Sequence, residues 1–163
     1  MNEQEIQRLT DRQRSWFLTG ATLSIEHRIK ALTRLKACIL EHENAIQEAL
    51  YKDLGKSGFE SYMCETGLVL SEISYMLKHI RRFARETTVP TPLAQFCSRS
   101  YQKPSPYGVV LIMSPWNYPF LLTVEPLADA IAAGNTVIVK PSAYSPCTSE
   151  ILRSVLNQCF DEK

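Results

Sequence analysis

The sequence predicts an α/β fold in which a run of helices precedes the first βαβα part of a parallel sheet. Three observations predict it. Residues 1–86 carry apolar positions at helical spacing with few breakers. Pro90, Pro92, Pro104 and Pro106 then interrupt the chain. After Gly108, two short β-branched runs at 109–113 and 136–139 alternate with helical patterns. That order is expected of a right-handed crossover joining two parallel strands.

The elements follow in order. A first amphipathic segment covers residues 3–18 and stops before Gly20. Ser24 is placed to cap the next helix, with Glu26 in its first turn, where negative charge suits the helix dipole. Ile29, Leu32, Leu35, Ile39, Ile46 and Leu50 continue one pattern to Gly55, which predicts one long helix. A third helix starts at Ser57, where Ser57-Gly58-Phe59-Glu60 fits the S-x-x-E capping box. Met63, Leu70, Ile73, Leu77, Ile80 and Phe83 form its apolar stripe, and Arg81, Arg82 and Arg85 lie in its last turns. These stripes are read as core.

Residues 94–103 lie between the proline pairs and fit either an extended strand or a hairpin arm. The Pro-punctuated arm, 87–107, divides a helical segment, 1–86, from an α/β segment, 108–163. The continuous apolar run at 109–113 predicts a strand buried on both faces. Val124, Leu127, Ala128 and Ile131 stand at i, i+3, i+4 and i+7, and Gly134-Asn135 ends that helix with a left-handed cap. A last helix is predicted over about residues 148–160.

Composition excludes several classes of function. The 163 residues are 45% hydrophobic and 21% charged, as in ordinary globular domains. Lys plus Arg is 18 against 17 Asp plus Glu, a net charge of +1, which gives no basic excess for nucleic acid or an anionic membrane. The N-terminus is polar and acidic, without the apolar core of a secretory signal. No apolar run approaches the ~18–20 residues that span a bilayer. Cys38, Cys64, Cys97, Cys147 and Cys159 are odd in number and scattered, with no C-x-x-C pair and no Cys/His cluster. No metal site and no disulfide framework are expected, and reduced thiols fit a cytoplasmic protein.

In an open parallel sheet, ligands bind beyond the carboxyl ends of the strands. Residues 114–119 follow the first strand and residues 140–142 follow the second, so the βαβ unit should bring Asn117 and Lys140 to one crevice. An Asn amide there is a neutral donor for a developing oxyanion, or it simply holds a turn. A Lys there is a point charge suited to a phosphate or to ribose hydroxyls, or it is merely solvated. Neither G-x-G-x-x-G nor G-x-x-x-x-G-K-[ST] occurs, so neither conventional nucleotide fingerprint is available.

Three blocks resemble the aldehyde dehydrogenase superfamily: residues 106–112, residues 115–119 as P-W-N-[FY]-P, and residues 130–142 as G-N-x-[VIL]-x-x-K-P-S. The resemblance runs along the whole chain and is strongest over 104–146. The early start and the helix carrying Glu65 and Glu72 look most like the class 3 branch, so the chain resembles the N-terminal portion of such an enzyme, with an aldehyde dehydrogenase-like fold whose parallel sheet is Rossmann-like and truncated. The resemblance implies oxidation of an aldehyde to a carboxylic acid with NAD or NADP, in a homodimeric full-length protein. Carried over by motif, Asn117 is the oxyanion donor and Lys140 contacts the adenosine ribose or its 2′-phosphate. Met113, Ser114, Pro115 and Trp116 line the cofactor cleft, joined by Pro141 and Ser142.

Two departures matter. The family often has Glu directly after K-P-S, where this chain has Ala143. Loss of that acceptor, and of a charge that would repel a phosphate, implies that NADP is tolerated. The family's nucleophilic Cys and general-base Glu also fall beyond residue 163. The chain is therefore expected to be inactive alone and, with open strand edges, poorly soluble or paired with another chain. Cys147 and Cys159 are not expected to replace the nucleophile. The alternative is a non-catalytic binding or oligomerisation module on the same scaffold. A third reading, acyl-CoA or acyl-phosphate reduction, is disfavoured by P-W-N-[FY]-P together with K-P-S.

Overall fold

A computed structural model describes residues 2–160. The chain opens on α1 (Glu3–Leu18), whose start is a reciprocal cap. Asn2 Oδ1 accepts from the Glu5 amide at 2.9 Å, and a Glu5 carboxylate oxygen accepts from the Asn2 amide at 2.7 Å. Next come α2 (Ile25–Glu41) and α3 (Glu43–Leu54). Ser24 caps α2 as expected, accepting from the His27 amide.

The single helix expected from Ser24 to Gly55 is instead two. His42 leaves helical geometry at φ −102°, ψ 12°, and its ring Nδ1 lies 2.8 Å from the Cys38 carbonyl. The apolar stripe nevertheless carries across the break, which is why periodicity missed it. Leu32, Leu35, Ile39, Ile46 and Leu50 are all fully buried.

The capping box expected at Ser57 is half present. Ser57 Oγ accepts from the Glu60 amide, but the reciprocal bond is not formed. A short α4 (Gly58–Ser61) passes into one π turn, Tyr62–Thr66, before α5 (Gly67–Phe83). The π turn adds a residue to the spiral and rotates Glu65 to the inside. Gly67 permits it: a β-carbon there would lie 2.7 Å from the Tyr62 carbonyl oxygen. Ile73 and Ile80 are buried as expected, whereas Met63 and Phe83 at the stripe ends are exposed.

The Pro-punctuated stretch forms a hairpin. Strand β1 (Thr87–Val89) pairs antiparallel with β2 (Ser100–Gln102), and a 3-10 turn, Leu93–Gln95, lies between them. Strands β3 (Val109–Met113) and β4 (Thr136–Lys140) are parallel, joined by α6 (Leu121–Ala133). The last helix, α7 (Pro146–Cys159), starts two residues earlier than expected, with proline in its first turn, where a missing amide hydrogen costs nothing.

The expectation that residues 109–113 are buried on both faces fails. Ile112 is buried, but Leu111 is 58% and Met113 67% exposed. Helix α6 packs against β3, and α1 reaches both β3 and β4, yet on the alternate positions only Val109 is half-buried while Leu111 and Met113 stay open. A run of apolar residues fixes strand preference, not the presence of a second covering layer.

Charges from the helical segment hold α6 at both ends. At its carboxyl end the buried Arg28 guanidinium donates to the Ala132 carbonyl at 3.3 Å, and also to Thr22 and Leu23 carbonyls. A cation is favoured there by the free carbonyls. Gly134 follows at φ 93°, and a β-carbon on it would meet the guanidinium at 2.6 Å. Asn135 then donates to the Ala130 carbonyl and accepts the Gly108 amide at 3.0 Å, tying the end of α6 to the start of β3.

Candidate active site

The parallel register places Met113 opposite Lys140, and the Ser114 amide donates to the Lys140 carbonyl at 3.3 Å. Both strands therefore end at one edge, and the loops at 114–120 and 141–145 leave it side by side. Asn117 and Lys140 are exposed at this edge. Among the described residues, neither the Asn117 amide nor the Lys140 ammonium has a hydrogen-bond or ionic partner.

The other expected site residues divide by burial. Met113, Pro115 and Trp116 are exposed and Pro141 is half-buried, so these four present surface at the edge. Ser114 and Ser142 are buried and committed to the loops. The Thr123 hydroxyl lies within hydrogen-bond distance of Ser114 Oγ, 2.7 Å, and of the Pro119 carbonyl, 2.5 Å. Ser142 Oγ accepts from the Tyr144 amide, and its carbonyl accepts from the Ser149 hydroxyl. What these serines offer at the edge is loop shape.

Three residues that sequence reasoning missed hold these loops. The Lys56 ammonium, 8% exposed as a residue, donates to Glu65 Oε1 at 2.5 Å and to the Asn117 carbonyl at 3.1 Å. It also lies 4.1 Å from the centre of the Tyr118 ring, a cation–π contact. Glu65 is fully buried, and its Oε2 accepts the Phe120 and Leu121 amides at 2.8 and 3.1 Å. Asp53, in the last turn of α3, accepts the Cys147 and Thr148 amides at 3.1 and 2.7 Å and the Thr148 hydroxyl at 2.7 Å. Burial pushes the Asp53 carboxyl up, but the bonds from Thr148 and Cys147 outweigh it and hold its pKa below the ordinary aspartate value.

Two of the three had a signal. Glu65 precedes Val69 and Ile73 on the buried stripe at steps of four, and Asp53 follows Ile46 and Leu50 on theirs. An acid on an apolar face needs a partner, and here the partner is a helix start. Lys56 sits in a corner without period and gave none.

These caps have a chemical consequence. The amino end of α6 is occupied by Glu65 and that of α7 by Asp53, so neither helix start is free to receive a phosphate. This agrees with the missing glycine fingerprints. Neither Cys147 nor Cys159 offers an activated thiolate. Desolvation and then the Asp53 carboxylate push the Cys147 thiol up, and burial followed by its neighbour Cys38 pushes Cys159 far up. Among the described residues no cluster of His, Cys, Asp and Glu is placed to hold a metal, and no helix is long and apolar enough to cross a membrane.

An α/β unit with open strand tips and a P-W-N-Y-P loop defines a class, and the comparisons agree with it: the chain belongs to the aldehyde dehydrogenase family, whose model matches residues 1–161. Among its relatives, 4,4'-diaponeurosporen-aldehyde dehydrogenase of Staphylococcus aureus (strain NCTC 8325 / PS 47) is 43% identical over 91% of this chain and 32% of its own length. Aldehyde dehydrogenase family 3 member A2 of Pongo abelii is 40% identical over 93% of this chain and 31% of its own length. A substrate-bound structure of Staphylococcus aureus AldH superposes with a TM-score of 0.94 at 41% identity, covering 99% of this chain and 35% of that one. The chain thus spans about a third of the length of the relatives it matches.

Proposed function

We propose that this chain supplies the N-terminal portion of an NAD(P)-dependent aldehyde dehydrogenase, and that its two strand tips serve one reaction centre. The supporting observation is the shared edge. Met113 pairs with Lys140, so the Asn117 loop and the Lys140 tip emerge together, each with a polar group that has no partner among the described residues. In this reading a thiolate from elsewhere in the complete enzyme adds to the aldehyde carbon. The Asn117 amide donates to the oxygen as it gains negative charge. Such a donor is worth most when it is fixed in place before the charge develops.

Lys140 holds the adenosine ribose or its 2′-phosphate, and Met113, Ser114, Pro115, Trp116, Pro141 and Ser142 shape the cleft beside it. The residues fit that end of a dinucleotide. The ammonium is exposed and unpaired among the described residues, and Ala143 brings no carboxylate to compete with a phosphate. They do not fit the pyrophosphate, since both helix starts are capped. A nicotinamide cofactor bound there would supply the hydride acceptor for the oxidation.

Two finer points belong to the same proposal. NAD and NADP are both accepted, and the 87–107 hairpin contributes to a homodimer of the complete, cytoplasmic enzyme. Support for NADP comes from Ala143 and from solved relatives of the same fold, such as succinic semialdehyde dehydrogenase of Streptococcus pyogenes in complex with NADP+. The test is reduced-cofactor formation with several aldehydes, run with NAD and with NADP. The complete polypeptide should turn over with both, and the 163-residue chain alone with neither. Turnover by the chain alone, or a strict requirement for NAD, would contradict the proposal.

A further inference from the structure

The structure assigns the buried Lys56–Glu65 pair as positioning residues for Asn117. This rests on the reading of Asn117 as the oxyanion donor and adds what aims it. The contacts occupy the ammonium and both oxygens of the carboxylate. The ammonium has three directions and uses one on Glu65 Oε1, one on the Asn117 carbonyl and one on the Tyr118 ring face. The carboxylate's second oxygen takes the Phe120 and Leu121 amides. Between them the two side chains grip residues 117, 118, 120 and 121, from the loop into the first turn of α6.

The grip is one-sided. The hydrogen bond to Asn117 is made to its backbone carbonyl, and among the described residues its side-chain amide has no partner. Phe120, fully buried, anchors the far side of the loop. The peptide that carries the amide is thus held directly by a charged bond at 3.1 Å, while Asn117 itself is exposed.

The cost of the arrangement argues for a geometric purpose. Burying two charges is expensive, and a well-packed apolar pair of similar volume often serves stability as well or better. A charged pair supplies at once a strong donor to a carbonyl and a strong acceptor to two amides, which an apolar pair cannot. An oxyanion donor misplaced by about 1 Å can lose on the order of 100-fold in rate, so the gain from fixing the loop falls on the chemical step.

A double-mutant cycle in the complete enzyme tests this, with kcat, the cofactor KM and melting temperature measured throughout. In the parent background, Lys56→Met should lower kcat by roughly 10- to 100-fold while the cofactor KM stays within about twofold. In an Asn117→Ala background the same change should cost less than about twofold in kcat, because the group it aims is gone. Lys56→Arg, which keeps the charge, should recover part of the loss. Should Lys56→Met fail to fold, Tyr118→Leu removes the ring beneath the ammonium, leaves the ion pair, and should show the same non-additivity with a smaller loss.

Equal losses in both backgrounds, or no loss in the parent, would overturn the assignment and leave the pair a purely structural one. Full kcat in the Asn117→Ala enzyme would instead remove the oxyanion reading itself, a failure distinguishable from the first.

Discussion

Asp129 shows how one side chain can work against the fold that carries it. It lies half-buried on α6, and its Oδ1 has no hydrogen-bond partner among the described residues. Burial, then the carboxylates of Glu72 and Glu125, push its pKa up to about 6. The unfolded chain would ionise it near 3.9. The folded state therefore prefers the neutral acid, and ionisation costs stability. That penalty is absent below the unfolded value and complete above about pH 6. Asp129→Asn should raise the melting temperature at about pH 7.5, and the gain should shrink toward zero as pH falls to about 4. Thermal denaturation across that range checks it, and a constant difference would mean the carboxylate is not the cause. At this same scale Asn117 and Lys140 were legible as candidates because the chemistry of each is simple and each stands just past a strand. Lys56 was not, since its role comes from a contact 61 residues away.

At the scale of elements, the α3–α4 corner does more than connect helices. Asp53 caps α7, Glu65 caps α6, and Lys56 between them holds the loop before α6. One short stretch of the helical segment thus sets both strand-to-helix loops at the edge of the sheet. Loss of a helix cap costs ~0.5–2 kcal/mol. Asp53→Ala should destabilise the complete protein by about that amount at neutral pH. Because the folded pKa of Asp53 is depressed, its contribution is present above the unfolded value near 3.9 and is lost as pH falls through the folded one. Urea unfolding at neutral and acid pH checks this; an equal difference at both would rule out the capping charge. Helix starts at Ser24 and Ser57 and the left-handed end at Gly134 were readable because capping is local. The break at His42 and the π turn at 62–66 were not, because the apolar spacing tolerates both.

For the whole molecule, the predicted order of elements holds: helices, a Pro-punctuated arm, left open between strand and hairpin and found to be a hairpin, then a parallel βαβα unit. The crossover rule alone carried the most useful deduction, that both strand tips share an edge. It failed on layers. Periodicity reports the face a residue prefers, and Leu111 and Met113 are apolar yet open. The helical segment and the α/β unit are mutually dependent, since Arg28 and Glu65 from the first hold the two ends of α6 in the second.

The direct measurement of the central claim is single-turnover oxidation of an aldehyde by the complete enzyme with Asn117→Ala. Removing one preorganised oxyanion donor should slow the chemical step by roughly 10²–10³-fold, with the dissociation constant of the cofactor unchanged. A chemical step within about threefold of the parent, or a loss confined to cofactor binding, would contradict the account.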